Sequence, residues 1–152
     1  RSELDRRNLV GQGWWGDEWW KSAQASGLMS IECHSWDHNH HTLDNVVQKD
    51  NLGGDFWGID TYQECFIHTI RSNEYIDQIV GCKPQFFAYP WGQASDYFRS
   101  KFMNMYEKEH GYRAAFSIDA RHVSKNEDKW FLPRYVCGRD WKSPQELIKI
   151  LA

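Results

Sequence analysis

The sequence predicts an α/β domain built on a parallel sheet or barrel. Helical and strand patterns alternate along all 152 residues. The strand runs are about five residues long, and glycines stand where the helical patterns stop. Asp17 can cap a helix running to about Ser26, with Gly27 as its stop. Leu28-Met29-Ser30-Ile31 then reads as a short buried strand that reaches Cys33. A polar loop with Asn39, His40, His41, Gly53 and Gly54 precedes a helix opened by Asp60 or Thr61, where Thr61 and Glu64 have capping-box spacing. Tyr62, Phe66, Ile70, Ile76 and Val80 supply its apolar positions, and Gly81 ends it. A second strand, 85–89, stops at Pro90-Trp91-Gly92. A helix from Ser95 or Asp96 carries Phe98, Phe102 and Met105 on one side and closes at Gly111. Residues 113–117 form a third strand. Residues 131–136 form a fourth, which Pro133 confines to an edge or an irregular path. Ser143-Pro144-Gln145-Glu146 starts the last helix, with Leu147, Ile148 and Leu151 following.

Length and composition suit a single domain over 1–152, with 41% hydrophobic residues available for a core. A net charge of −3 offers no broad basic surface, which argues against nucleic acid and anionic membrane as partners. No apolar run approaches the roughly 20 residues of a membrane helix. The chain begins Arg1-Ser2-Glu3-Leu4 without an initiator methionine or a signal-peptide pattern, so it reads as a fragment or processed product. Cys33, Cys65, Cys82 and Cys137 form no C-x-x-C pair, which argues against a zinc finger; disulfides and buried thiols both remain open. Most of the nine tryptophans are expected in the core, with Trp14, Trp15, Trp19 and Trp20 packing a helix against the sheet.

The chemistry concentrates at Glu32-Cys33-His34-Ser35-Trp36-Asp37-His38. Two histidines four residues apart stand where an apolar run ends, on the rim where α/β proteins gather binding and catalytic groups. Neutral imidazoles bind zinc, so His34 and His38 on one tight turn can clamp one ion. Strand alternation places Ser30, Glu32 and His34 on one face, and Met29, Ile31 and Cys33 on the other under the helices. Glu32 is thereby a candidate to orient an imidazole, to serve as a ligand, or simply to make a buried hydrogen bond.

His34-Ser35-Trp36-Asp37-His38 resembles the H-[ST]-x-x-H motif of polysaccharide deacetylases, the NodB-homology domains of carbohydrate esterase family 4. Phe87-Ala88-Tyr89-Pro90-Trp91-Gly92 resembles that family's second signature, about fifty residues later. The Ala before Tyr-Pro, together with Leu132-Pro133-Arg134-x-Val136, is closest to the poly-N-acetylglucosamine deacetylase branch. The resemblance runs from about Trp14 to Leu151. It implies an irregular (β/α) barrel of about seven strands, with Zn2+ or another divalent metal held by His34 and His38. Ser35 would hold the loop, Glu32 and Asp37 would stand behind the ligands, and Tyr89, Pro90 and Trp91 would wall the substrate groove. The Tyr89 N–H is the first candidate to hold an oxyanion. The implied partner is an N-acetylated polysaccharide or oligosaccharide, and the implied location is the cell envelope or outside the cell.

The match also has gaps. The family's apolar strand ending in Asp-Asp, source of the base and the third ligand, is not found in the 33 residues before His34. Asp5, Asp17 and Asp37 do not follow an apolar strand. The chain is therefore expected to lack the first strand or strands of the barrel and to be inactive alone. Ala88 stands where the family has an arginine, and the late histidine motif that houses the general acid is absent. His122 reads as plain loop, and Arg134 cannot readily release a proton. Asp140-Trp141 echoes a buttressing element, but reads better as a surface Asp beside a core Trp. His40 and His41 read as exposed loop residues, and His68 and His110 as helix residues without a function. Asp55-Phe56-Trp57-Gly58 reads as a groove rim or a packed loop. Two other functions stay open: a noncatalytic glycan-binding module on the same fold, and a deacylase acting on a nonsugar amide.

Overall fold

The computed structural model describes residues 16–39 and 55–152. Expectations that fall on Asp5, Trp14, Trp15, His40, His41, Gly53 and Gly54 lie outside those residues. The centre is a small open sheet in which every pairing is parallel. β1 (Phe86–Ala88) pairs with β2 (Ala114–Phe116), Phe86 facing Ala114 and Ala88 facing Phe116. Single bridges extend it on both sides, Cys33 to Phe87 and Phe116 to Leu132. The lateral order thus follows the chain, as the alternating pattern predicts. Among the described residues the sheet stays open, so a closed barrel is not seen.

Helices α1 (Trp20–Ala25), α2 (Tyr62–Phe66) and α3 (Ser72–Val80) cover the earlier part of the chain. Thr61 and Glu64 close the expected capping box at the start of α2. A π-helical turn, Ile67–Arg71, joins α2 to α3, and Gly81 ends α3 in the left-handed conformation. A second π-helical stretch, Tyr97–Phe102, leads into α4 (Met103–Met105) and α5 (Glu107–His110). The wider turn shifts the helical phase, so Met103 joins Phe98 and Phe102 in the core while Met105 is 68% exposed. α6 (Pro144–Leu151) begins as predicted, with Ser143 accepting the Glu146 N–H.

Two predicted strands shrink to single bridges. Leu28 is 89% exposed, and of the run 28–33 only Cys33 pairs, giving its N–H to the Phe86 carbonyl and accepting from the Ala88 N–H. Side chains have claimed the donors that a ladder would use: Ser26 Oγ takes the Leu28 N–H and Gln24 Oε1 takes the Ile31 N–H. At 131–136, Leu132 makes both of its bonds to β2 and its extension, and Pro133 has no N–H to continue. The first helix is shorter than predicted. Asp17 accepts a hydrogen bond from Tyr75 Oη of α3 through its carboxylate instead of capping with it. Trp20 accordingly packs edge-on against Tyr75, so α1 docks on α3 and not on the sheet.

The core is aromatic. Phe98 lies 5.7 Å from Phe87, 5.4 Å from Tyr89 and 5.8 Å from Phe102 between ring centroids, in tilted and edge-on contacts. Phe56, Tyr112 and Trp130 complete the buried set. All four cysteines are free thiols, Cys33 and Cys65 buried, Cys82 and Cys137 exposed.

Candidate functional site

His34 follows the Cys33 bridge and so leaves the sheet at its C-terminal rim beside the end of β1. Its Nδ1 lies 2.6 Å from the Ala88 carbonyl oxygen. A carbonyl can only accept, so Nδ1 carries the proton and Nε2 presents a bare lone pair. The surrounding protein lowers the His34 pKa below 6.5; the Arg134 charge acts in the same direction, against the pull of the Ala88 bond. The turn then doubles back. Ser35, His38 and Asn39 all have positive φ (79°, 62° and 50°), a conformation that non-glycine residues adopt at a cost. Ser35 Oγ accepts the His38 N–H at 3.0 Å, and Asp37 Oδ1 accepts the Asn39 N–H at 2.9 Å. These bonds bring His38 Nε2 to 3.2 Å from His34 Nε2.

That separation is a test of fit. Two nitrogens held at 2.0–2.1 Å by a tetrahedral zinc stand roughly 3.3 Å apart. The imidazoles therefore converge with one tautomer already set, as a zinc pair requires. Among the described residues no group of three His, Cys, Asp or Glu is placed to hold a metal, so the pair is an incomplete ligand set.

The other predicted site residues divide. Ser35 and Asp37 hold the turn through main-chain bonds, and Asp37 also lies 3.7 Å from Nδ1 of the buried His68. Glu32 does not approach an imidazole. Its carboxylate accepts the N–H groups of Gln85 and Phe86 at 2.8 and 2.9 Å, tying the entry of β1 to the His34 strand. The Tyr89 ring does not face a groove: it is buried among Phe87, Phe98 and Phe131, and the Tyr89 N–H is already given to the Phe116 carbonyl. That bond also removes the Tyr89 N–H as the first oxyanion donor. Pro90 is buried too. Trp91 alone of the three faces the site, 44% exposed, its ring 4.1 Å from that of His38. Trp36 turns back to α3 and its approach, with Arg71 over its face and Tyr75 at its edge.

Four contributors escaped sequence reasoning. Asn39 Nδ2 donates to the Asp55 carbonyl at 2.6 Å, and Gln93 Oε1 accepts the Phe56 N–H at 3.0 Å, so the 55–58 loop is tied to both motif turns. His68 packs at a tilt against Phe56 of that loop, 4.8 Å between ring centroids. Arg134 lies on the late edge segment with its Nε buried and without a hydrogen-bond partner. Burial and the neighbouring Arg139 charge lower its pKa. Apart from Asn39, which adjoins His38, no sequence spacing links these residues to the histidines; the fold brings them together.

A sheet with imidazoles converging at its C-terminal rim places them where α/β domains bind their ligands. The family model for polysaccharide deacetylases matches residues 9–115, and the chain belongs to that family. A solved structure of a de-N-acetylase from Aggregatibacter actinomycetemcomitans is similar in fold, with a TM-score of 0.57 at 15% identity over 86% of this chain. The match covers 50% of that structure, so the present chain spans about half its length. No curated protein matches in sequence.

Proposed function

We propose that this chain is part of a metal-dependent carbohydrate N-deacetylase acting on an N-acetylated polysaccharide or oligosaccharide of the poly-N-acetylglucosamine type. The observation that carries the reading is the 3.2 Å approach of the two Nε2 atoms, with His34 locked by the Ala88 carbonyl. Family membership supports the substrate class.

When bound between these imidazoles, a divalent ion would polarise the acetamide carbonyl and make a hydroxide-like nucleophile accessible near neutral pH. The chain's own residues prepare that place. The Ala88 carbonyl sets the His34 tautomer and aims the ring, burial favours its neutral form, and Ser35 and Asp37 hold the strained turn that delivers His38. The edge-on contact of Trp91 fixes the His38 ring and offers an apolar face to a pyranose. A third ligand, a base and an acid belong to segments outside the described residues, and the 152-residue chain on its own is inactive in this reading. Location at the cell envelope or outside the cell fits a polymeric substrate.

The test uses the full-length protein. His34→Ala and His38→Ala should each lower zinc content and cut deacetylation of β-1,6-linked N-acetylglucosamine oligomers by more than about a hundredfold, exceeding the usual cost of disturbing a ligand's support. Chitooligosaccharides and small acetamides run in parallel identify the substrate class. Activity retained by both variants overturns the proposal. Sugar binding with neither metal nor turnover would instead establish a noncatalytic glycan-binding module, which the incomplete ligand pair among the described residues also accommodates.

A further inference from the structure

A guanidinium at a ligand-binding rim ordinarily has a carboxylate or carbonyl against it, because an unpaired buried donor is costly. Arg139 obeys this rule: its Nε and Nη2 bind the Asp140 carboxylate at 2.8 and 2.7 Å, and Nη2 also donates to the Ile118 carbonyl. Arg134 does not. Its main-chain N–H is given to the Asp119 carbonyl at 3.0 Å, yet its Nε is buried and unpartnered.

Position gives the orphan a meaning. Cys33 bridges Phe87, Ala88 faces Phe116 and Phe116 bridges Leu132, all in parallel. The residues immediately after these rungs, His34, Tyr89, Ser117 and then Pro133-Arg134, therefore leave the sheet on one rim. Among the described residues, Arg134 brings a buried Nε without a hydrogen-bond partner to the rim that carries His34 and His38. Arginine cannot act as an acid here, but its fork matches the two oxygens of a carboxylate.

Resting on the deacetylase reading, we propose that Arg134 is the product-binding residue of this site and takes the acetate carboxylate. Hydrolysis adds water across the acetamide C–N bond. The sugar nitrogen leaves as an amine that gains the proton, and the acetyl carbon leaves as a carboxylate with the negative charge. The buried Nε and its fork meet that charge as it forms.

The experiment is an acetate titration of the full-length protein, stripped of metal by a chelator so that an ion cannot be the acetate site. Saturation-transfer NMR on the acetate methyl reads binding. The expected result is saturable binding by the metal-free wild type, weakened at least tenfold in Arg134→Met and by a smaller factor in Arg134→Lys, which keeps the charge without the fork. Arg139→Met, whose partner is Asp140, should bind as the wild type does. Absence of binding to the metal-free wild type, or wild-type affinity in the Arg134 variants, overturns the proposal; should Arg134→Met fail to fold, Arg134→Lys decides. Oligosaccharide turnover measured on the same protein before chelation, with its metal in place, separates the two readings. Turnover without metal-free acetate binding removes only the Arg134 role, whereas arginine-dependent acetate binding without turnover removes only the hydrolase reading.

Discussion

Gly92 shows how narrowly single residues are constrained beside the histidine pair. It has φ +69°, and a Cβ placed there would stand 2.4 Å from Ile118 Cγ1 and 2.7 Å from the Ile118 main-chain nitrogen. Neither the conformation nor the space admits a side chain. The preceding Trp91 is itself left-handed, at φ 52°, so the turn already carries strain that close packing must offset. Gly92→Ala should destabilise the protein by about 2–4 kcal/mol and displace the Trp91 ring from His38. A urea melt and the tryptophan emission of the full-length protein check both; an unchanged midpoint would show that the turn relaxes freely. The two histidines and the Pro-Trp-Gly turn were legible from residue order, because their chemistry is local. Tyr89 was misplaced, whereas Glu32 takes the simple hydrogen-bonding role among those open to it. Alternation assigns a face but not a partner, and Glu32 found unpaired strand donors at the entry of β1 before any imidazole.

Among the elements, the helix caps were the most legible, since a cap is decided within four residues. Thr61 Oγ1 accepts the Glu64 N–H, and Glu64 Oε2 returns the bond to the Thr61 N–H at 3.2 Å. Thr61→Ala should cost about 1 kcal/mol, a fall of roughly 2–4 °C in the thermal midpoint. A larger fall would mean that the cap also holds the π-helical turn that follows. Neither π-helical stretch was foreseen, because a period of 3.6 residues cannot register a turn that packing has widened. The one at Ile67–Arg71 has a visible outcome: it carries the buried His68 to within 3.7 Å of Asp37, beneath the His34–His38 turn. The predicted strands at 28–33 and 131–136 failed for local reasons, side-chain capture of N–H groups in the first and a proline in the second.

At the scale of the whole molecule, two buried imidazoles tie stability to pH. His110 Nε2 donates to the Met103 carbonyl at 3.0 Å while its Nδ1 accepts the Tyr112 N–H at 3.0 Å, so the folded ring is neutral and a second proton would face a donor. Burial chiefly lowers its pKa below 6.5; Met103, Glu107 and Glu109 pull the other way, and Lys129 acts with burial. Burial also lowers His68, against the opposing charge of Asp37. Unfolded histidines titrate near 6.5, so below that value the unfolded chain binds more protons than the folded one and stability falls with pH. The partly exposed Glu127, lowered to about 2 chiefly by its bond to Arg121, contributes in a separate window as pH falls below 4.5, and solvent weakens it. Denaturant midpoints should therefore hold steady from pH 8 to 7 and decline from about 6.5 to 5. A flat profile through that lower range would show that the imidazoles are not buried neutral in solution.

Residue order alone was enough for the α/β class, the parallel sense of the sheet, the family, the caps of α2 and α6 and the identity of the converging histidines. Each depends on spacings within a few residues or on the order of elements along the chain. Only the tertiary structure decided that the Ala88 carbonyl sets the His34 tautomer, that Tyr89 belongs to the core and Trp91 to the site, and that Arg134 shares the histidines' rim without a partner. Those contacts join positions as many as a hundred residues apart in the chain. The physical reason is that side-chain pairing across a sheet depends on register and burial, which no local pattern encodes.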